Sequence, residues 1–170
     1  MYSCRKAAFA LVSLIILVTA SAALMPFVSR GQVKPLKHDP RRSFYLTQTG
    51  YNGSQALTAC AEGYHMASFW EIRDTSNLSY DTQLGFTRDD SGLGPPSGFA
   101  GWTRTGHDAN EVPTVGLGNC QVWTSAASTD FGTSVRPPSI WNSADVTVIA
   151  PWEAFIFPCD SNVRVWCVQD

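Results

Sequence analysis

Residues 56–68 read Ala56-Leu-Thr-Ala-Cys60-Ala-Glu-Gly63-Tyr-His65-Met-Ala-Ser68, with Phe69, Trp70 and Glu71 following. Upstream, Asn52-Gly-Ser-Gln55 offers an N-cap with a glutamine three residues on, and Gly63 offers a C-cap. The spacing therefore predicts a short helix that carries Ala56 and Cys60 on one face, one turn apart. Ser68-Phe-Trp-Glu71 fits a capping box, in which the serine hydroxyl and the glutamate carboxylate satisfy free amides at a helix start. It predicts a second helix over 69–77. On either side the periodicity changes. Ser43–Thr47 alternates apolar and polar residues and reads as an opening strand. Gly101–Thr105, Cys120–Ser125, Asp145–Ile149 and Val163–Val168 read as further short strands, the last with Val163, Val165 and Cys167 on one side. Helices first and short strands afterwards is an α+β pattern. The interval 126–158 holds Pro137-Pro138, Pro151 and Pro158 and is expected to carry the longest loop.

Composition bounds what such a domain can do. Charged residues are 15% of the 170, against roughly 25% in an average soluble chain, while aromatics reach 12% with six tryptophans. That excludes intrinsic disorder. Residues 1–42 hold seven of the twelve basic groups and one acid, so residues 43–170 carry five arginines against thirteen acids, a net of −8. An acidic domain repels phosphate backbones, so no nucleic-acid partner is expected.

Arg5 and Lys6 precede an uncharged run from Ala7 to Val28, and Ala20-Ser-Ala22 supplies small residues for cleavage. Residues 1–22 read as a secretory signal peptide. The rival reading is a retained anchor, since 22 uncharged residues are long enough to cross a bilayer; only then would the protein contact a membrane. Residues 23–42 form a basic linker, and 43–170 the domain. Either reading places that domain outside the cytoplasm, secreted or at the cell surface. Outside the leader, Cys60, Cys120, Cys159 and Cys167 are an even count in an exported chain, which predicts two disulfides. Four cysteines allow three pairings, and spacing alone selects none. No close cysteine pair suits zinc.

The stretch from Ala56 to Ser68 with Glu71 beyond it resembles the C-type lectin-like family, with Met66 where the family has leucine. Gly101-Trp102 stands where that family has its tryptophan-bearing strand, and Cys159 and Cys167 match its closing cysteine pair in spacing and position. The resemblance covers about residues 43–170. It implies a compact double-loop fold with nested bridges Cys60–Cys167 and Cys120–Cys159, and a binding surface on the long loop. The calcium-dependent sugar binders of the family carry Glu-Pro-Asn or Gln-Pro-Asp, and Trp-Asn-Asp, as their ligand sets. Here Glu111-Val-Pro113 and the displaced Trp141-Asn142-Ser143 replace them. A calcium ion wants six to eight oxygens, several from carboxylates, so the resemblance implies recognition by a mode other than the family's usual sugar chelation.

Asp108, Asn110 and Glu111 are the densest oxygen donors and the candidate calcium ligands; the alternative is a solvated turn. Asp89-Asp90 carries the same two readings. His65 is expected to be packed structurally. Trp70, Trp102 and Trp166 lie on predicted elements and are expected in the core, whereas Trp123, Trp141 and Trp152 fall in or beside the long loop. There a tryptophan stacks on a sugar, anchors a protein partner, or packs as the loop's own small core. The candidate ligand-binding set is Asn110, Glu111, Asn119, Trp123, Trp141, Asn142 and Trp152. No G-x-S-x-G elbow, phosphate loop or metal-spaced histidine pattern occurs, and no catalytic residue is assigned. Asn52-Gly-Ser54 and Asn77-Leu-Ser79 are glycosylation sequons. The expected function is an exported module that binds a glycan or a protein through residues 107–158, with no cofactor beyond a candidate calcium. The alternatives are a structural surface module similar in spirit to endostatin and an enzyme resembling the formylglycine-generating type, which needs a redox-active cysteine pair.

Overall fold

The structure, a computed structural model, describes residues 41–109, 111–139 and 151–170. Among the described residues there are seven strands: β1 (Arg42–Leu46), β2 (Tyr64–Met66), β3 (Leu78–Tyr80), β4 (Gly101–Trp102), β5 (Phe131–Arg136), β6 (Glu153–Pro158) and β7 (Arg164–Gln169). Among the described residues the helical content is slight: one α-helix, α1 (Phe69–Ile72), 3-10 turns at Gly53–Thr58 and Thr75–Asn77, and one left-handed turn at Cys120–Trp123. The α+β class holds.

Everything is organised around β7. It pairs antiparallel with β1 on one edge (Tyr45 opposite Cys167). Its other edge takes β2 antiparallel at Met66–Cys167 and β4 parallel at Trp102–Val165. Beyond these, β3 lies parallel to β1, and β5 and β6 extend the sheet from β4. Val165, Trp166, Cys167 and Val168 are all buried, so both faces of β7 are covered. Its alternate residues face opposite sides of the sheet, and because β7 is central both sides are covered.

Large aromatic rings fill the core, and three of the buried indoles have backbone carbonyl acceptors. Trp102 Nε1 donates to the Tyr51 carbonyl at 2.8 Å, Trp166 to Val135 at 2.8 Å and Trp152 to Ile72 at 3.0 Å. A buried N–H without a partner costs about 1–3 kcal/mol, so these bonds also fix where the loops carrying the acceptors can lie. The disulfides are Cys60–Cys167 and Cys120–Cys159, with Cα atoms 5.7 Å and 5.6 Å apart. This is the nested pairing that the resemblance implies.

Several sequence expectations change. The Ser68 capping box is present, but the helix it opens stops at Ile72, and 75–77 is a separate 3-10 turn capped by Asp74. The Asn52 capping box likewise opens a 3-10 turn that ends at Thr58, short of Cys60. Cys120–Ser125 is not a strand, because Cys120 to Trp123 all take positive φ. Asp145–Ile149 lies outside the described residues. Within the interval 126–158, β5 and β6 take 131–136 and 153–158, and 140–150 lie outside the described residues; the longest stretch between elements whose residues are all described is 81–100. Trp70, expected in the core, is 66% exposed, because α1 turns that side away from the sheet; the guanidinium of Arg73 lies over its ring.

Candidate functional site

Four of the residues picked out by sequence, Asp108, Glu111, Asn119 and Trp123, come together at a left-handed turn. Cys120, Gln121, Val122 and Trp123 have φ between 51° and 60°, a region that L-residues enter at a cost of roughly 1–2 kcal/mol each. Three restraints hold the turn there. Cys120 is bridged to Cys159. The Asn119 Oδ1 accepts from Val122 N at 3.3 Å. Trp123 packs edge-on against Trp102, ring centroids 5.7 Å apart. Backbone strain of this kind concentrates where a particular side-chain presentation is needed.

The adjoining loop is tied down by the same asparagine. Asn119 Nδ2 donates to the carbonyls of His107 and Asp108 at 2.7 Å and 2.6 Å. Gln121 Nε2 donates to Glu111 Oε1 at 2.5 Å, which joins the 111–115 stretch to the turn. Asn119 is 3% exposed and Trp123 4%. Both lie beneath the surface of the turn, where their hydrogen bonds and packing hold it. What remains presented to solvent is Asp108, Glu111, Val112, Val115 and Val122, with Gln121 half-buried. Sequence reading missed Gln121 and Val122. Their signal was an unremarkable Gln-Val pair, and only the positive φ turns it outward.

The remaining candidates separate from this site. Trp152 is buried, with its ring 5.0 Å from Trp166, and belongs to the core. Asn110, Trp141 and Asn142 lie outside the described residues. Among the described residues no group of three His, Cys, Asp or Glu side chains is placed to hold a metal. Asp108 and Glu111 are both exposed carboxylates on the loop.

A second polar cluster ties the sheet together. Glu71 Oε2 accepts from Ser68 N at 2.9 Å and Ser68 Oγ at 2.8 Å, with Arg104 Nη2 3.7 Å away. Glu71 Oε1 faces His65 Nε2 at 2.9 Å and Arg42 Nη1 at 3.4 Å. His65 Nδ1 faces Asp170 at 2.6 Å. Partial burial alone would raise the Glu71 pKa, but the Ser68 amide, the His65 ring and the Ser68 hydroxyl outweigh it, and the carboxyl is lowered to about 2. The cluster joins β1, β2 and α1 to the residue after β7.

A cleft of about 750 Å³ lies elsewhere, walled by β1, β3 and the 88–97 loop. Its lining includes Asp89 and Asp90, which the sequence offered as either oxygen ligands or a solvated turn, and Trp152 from the candidate ligand-binding set. The chain matches no family model, no curated protein and no solved structure. Two disulfides point to an oxidising compartment. No helix among the described residues is long and apolar enough to cross a membrane.

Proposed function

We propose that this chain is an extracytoplasmic binding module of C-type lectin-like architecture that recognises its ligand through the 103–124 loop. The single observation that carries the reading is the left-handed turn at 120–123, with four consecutive non-glycine residues held at positive φ beside a disulfide. A solvated spacer loop has no need of that strain. The presented surface is mixed: Val112, Val115 and Val122 are 44%, 46% and 55% exposed, with Glu111 hydrogen-bonded to Gln121 among them. Exposed aliphatic groups beside a fixed polar pair suit a protein ligand better than a sugar, whose hydroxyls need several convergent donors and acceptors. Calcium chelation of a sugar has little to support it, because only Asp108 and Glu111 offer carboxylates on this loop.

The nested pairing of the disulfides also supports this reading over an enzyme of the formylglycine-generating type. All four cysteines of residues 41–170 are bridged, which leaves that chemistry no free thiol among the described residues. The test is an extracellular-protein microarray and a glycan array, each probed with the full chain with and without calcium. Saturable binding to a protein, independent of calcium and lost in Val122→Asp without a change in melting temperature, supports the module. No saturable signal on either array would instead favour a structural surface module. A calcium-dependent glycan signal would overturn the preference for protein.

A further inference from the structure

The cleft shares no lining residue with the 103–124 loop, so it stands apart from the site proposed above. Its apolar wall is built from Phe44 on β1 and from Leu78 and Tyr80 on β3. Leu78 and Tyr80 are two residues apart, on one face of a strand, so the wall repeats with the spacing of an extended chain. β3 is also the last strand on its side of the sheet, and among the described residues no strand pairs with its outer edge. An open edge presents unpaired backbone donors and acceptors, the template used when an extended peptide adds a strand.

The opposite rim is charged. Asp89 and Asp90 are exposed, line the cleft, and make no ion pair among the described residues. Arg88 on the same rim lies over the Phe99 ring, 5.2 Å from its centroid, and offsets one of the two negative charges. The domain around them carries a net charge of −8 over residues 43–170. Leu93, 88% exposed, extends the apolar surface to the lip.

We propose that this cleft is a second binding site, which takes an extended segment of a partner protein with alternating apolar and Lys or Arg residues. The segment lies along the outer edge of β3, its apolar side chains against Leu78 and Tyr80 and a cationic side chain at Asp89 and Asp90. Three properties of the site select that chemistry together: an open strand edge, an apolar wall with a two-residue repeat, and a rim with two carboxylates against one arginine.

The test is fluorescence anisotropy of the full chain with a labelled short peptide of alternating valine and lysine. Its companions carry glutamate for lysine, or N-methyl groups on alternate amides, which remove the edge hydrogen bonds while keeping charge and side chains. The lysine peptide is expected to bind saturably, and both companions at least about tenfold more weakly. Asp89→Asn with Asp90→Asn is expected to weaken binding of the lysine peptide up to about fivefold, the most that one exposed ion pair contributes. Leu93→Lys, on the exposed lip, should weaken it as well, and unchanged melting temperatures certify both variants. The indole resonance of Trp152, which lines the cleft, should shift on titration, whereas Val122→Asp should leave binding intact. Equal binding of all three peptides, or indifference to the double Asp variant, overturns the proposal. So does displacement by a neutral oligosaccharide, or self-association of the chain abolished by Leu93→Lys.

Discussion

Replacing Glu71 by glutamine removes one charge from a cluster that links four separate pieces of the fold. The carboxyl is lowered from 4.5 to about 2. Because the folded pKa lies below the unfolded one, the stabilisation is complete above about pH 4.5 and is lost as pH falls through about 2. At about 1.4 kcal/mol per pKa unit, the ceiling is on the order of 3 kcal/mol. The side chain is 25% exposed, so solvent screening brings the expected contribution to about 1–2 kcal/mol. Urea unfolding of wild type and Glu71→Gln from pH 7 to pH 2 measures it directly. The variant should be less stable by about 1–2 kcal/mol at neutral pH, and the two curves should converge as pH drops from 4.5 towards 2. A gap of constant size across that window would refute the reasoning, because it would show that the loss comes from packing and hydrogen-bond geometry rather than from the charge.

Three further outcomes are expected. Removing Cys60–Cys167, which spans 107 residues, should cost about 5 kcal/mol on the chain-entropy view, and Cys120–Cys159, spanning 39, about 4; chemical denaturation of the paired alanine variants checks the order. Gly132→Ala should destabilise by about 1–3 kcal/mol, since its Cβ would sit 2.6 Å from Cys120 Sγ and 2.8 Å from the Trp102 ring, neither free to withdraw; calorimetry reads the loss. Burial pushes the Tyr80 phenol up to about 12, so ultraviolet titration should show one tyrosine ionising well above the rest, and the late step should vanish in Tyr80→Phe.

Much of the fold was legible where local chemistry and tertiary role agree. Both capping boxes, the Gly101-Trp102 strand and the even cysteine count each follow from a short-range rule, and each is present. What was not legible depends on neighbours distant in sequence. The pattern Phe131-Gly-Thr-Ser-Val-Arg136 does not read as a strand, because Thr133 and Ser134 are buried by partners that only pairing supplies. β2 and β3 are three residues each, too short for any periodicity to register. At the candidate site, Asp108 and Glu111 were found from their donor chemistry and Trp123 from its place beside the long loop. The burial of Asn119 and Trp123 was not legible, since it depends on Trp102 and the 107–108 carbonyls, distant in sequence. Gln121 and Val122 could not be found at all, because a left-handed conformation leaves no mark in a Gln-Val pair.

Because β7 is the strand that β1, β2 and β4 all share, none of those three can settle before residues 164–169 exist. A ribosome making this protein releases almost the entire domain while the piece that organises it is still unmade. Until then the nascent polypeptide has little to fold around, and the sulfur of Cys60 must wait for a partner synthesised 107 positions later. Removing residues 164–169 would take away the common partner of β1, β2 and β4 and one half of the Cys60–Cys167 bridge, so the shortened chain should not reach this fold.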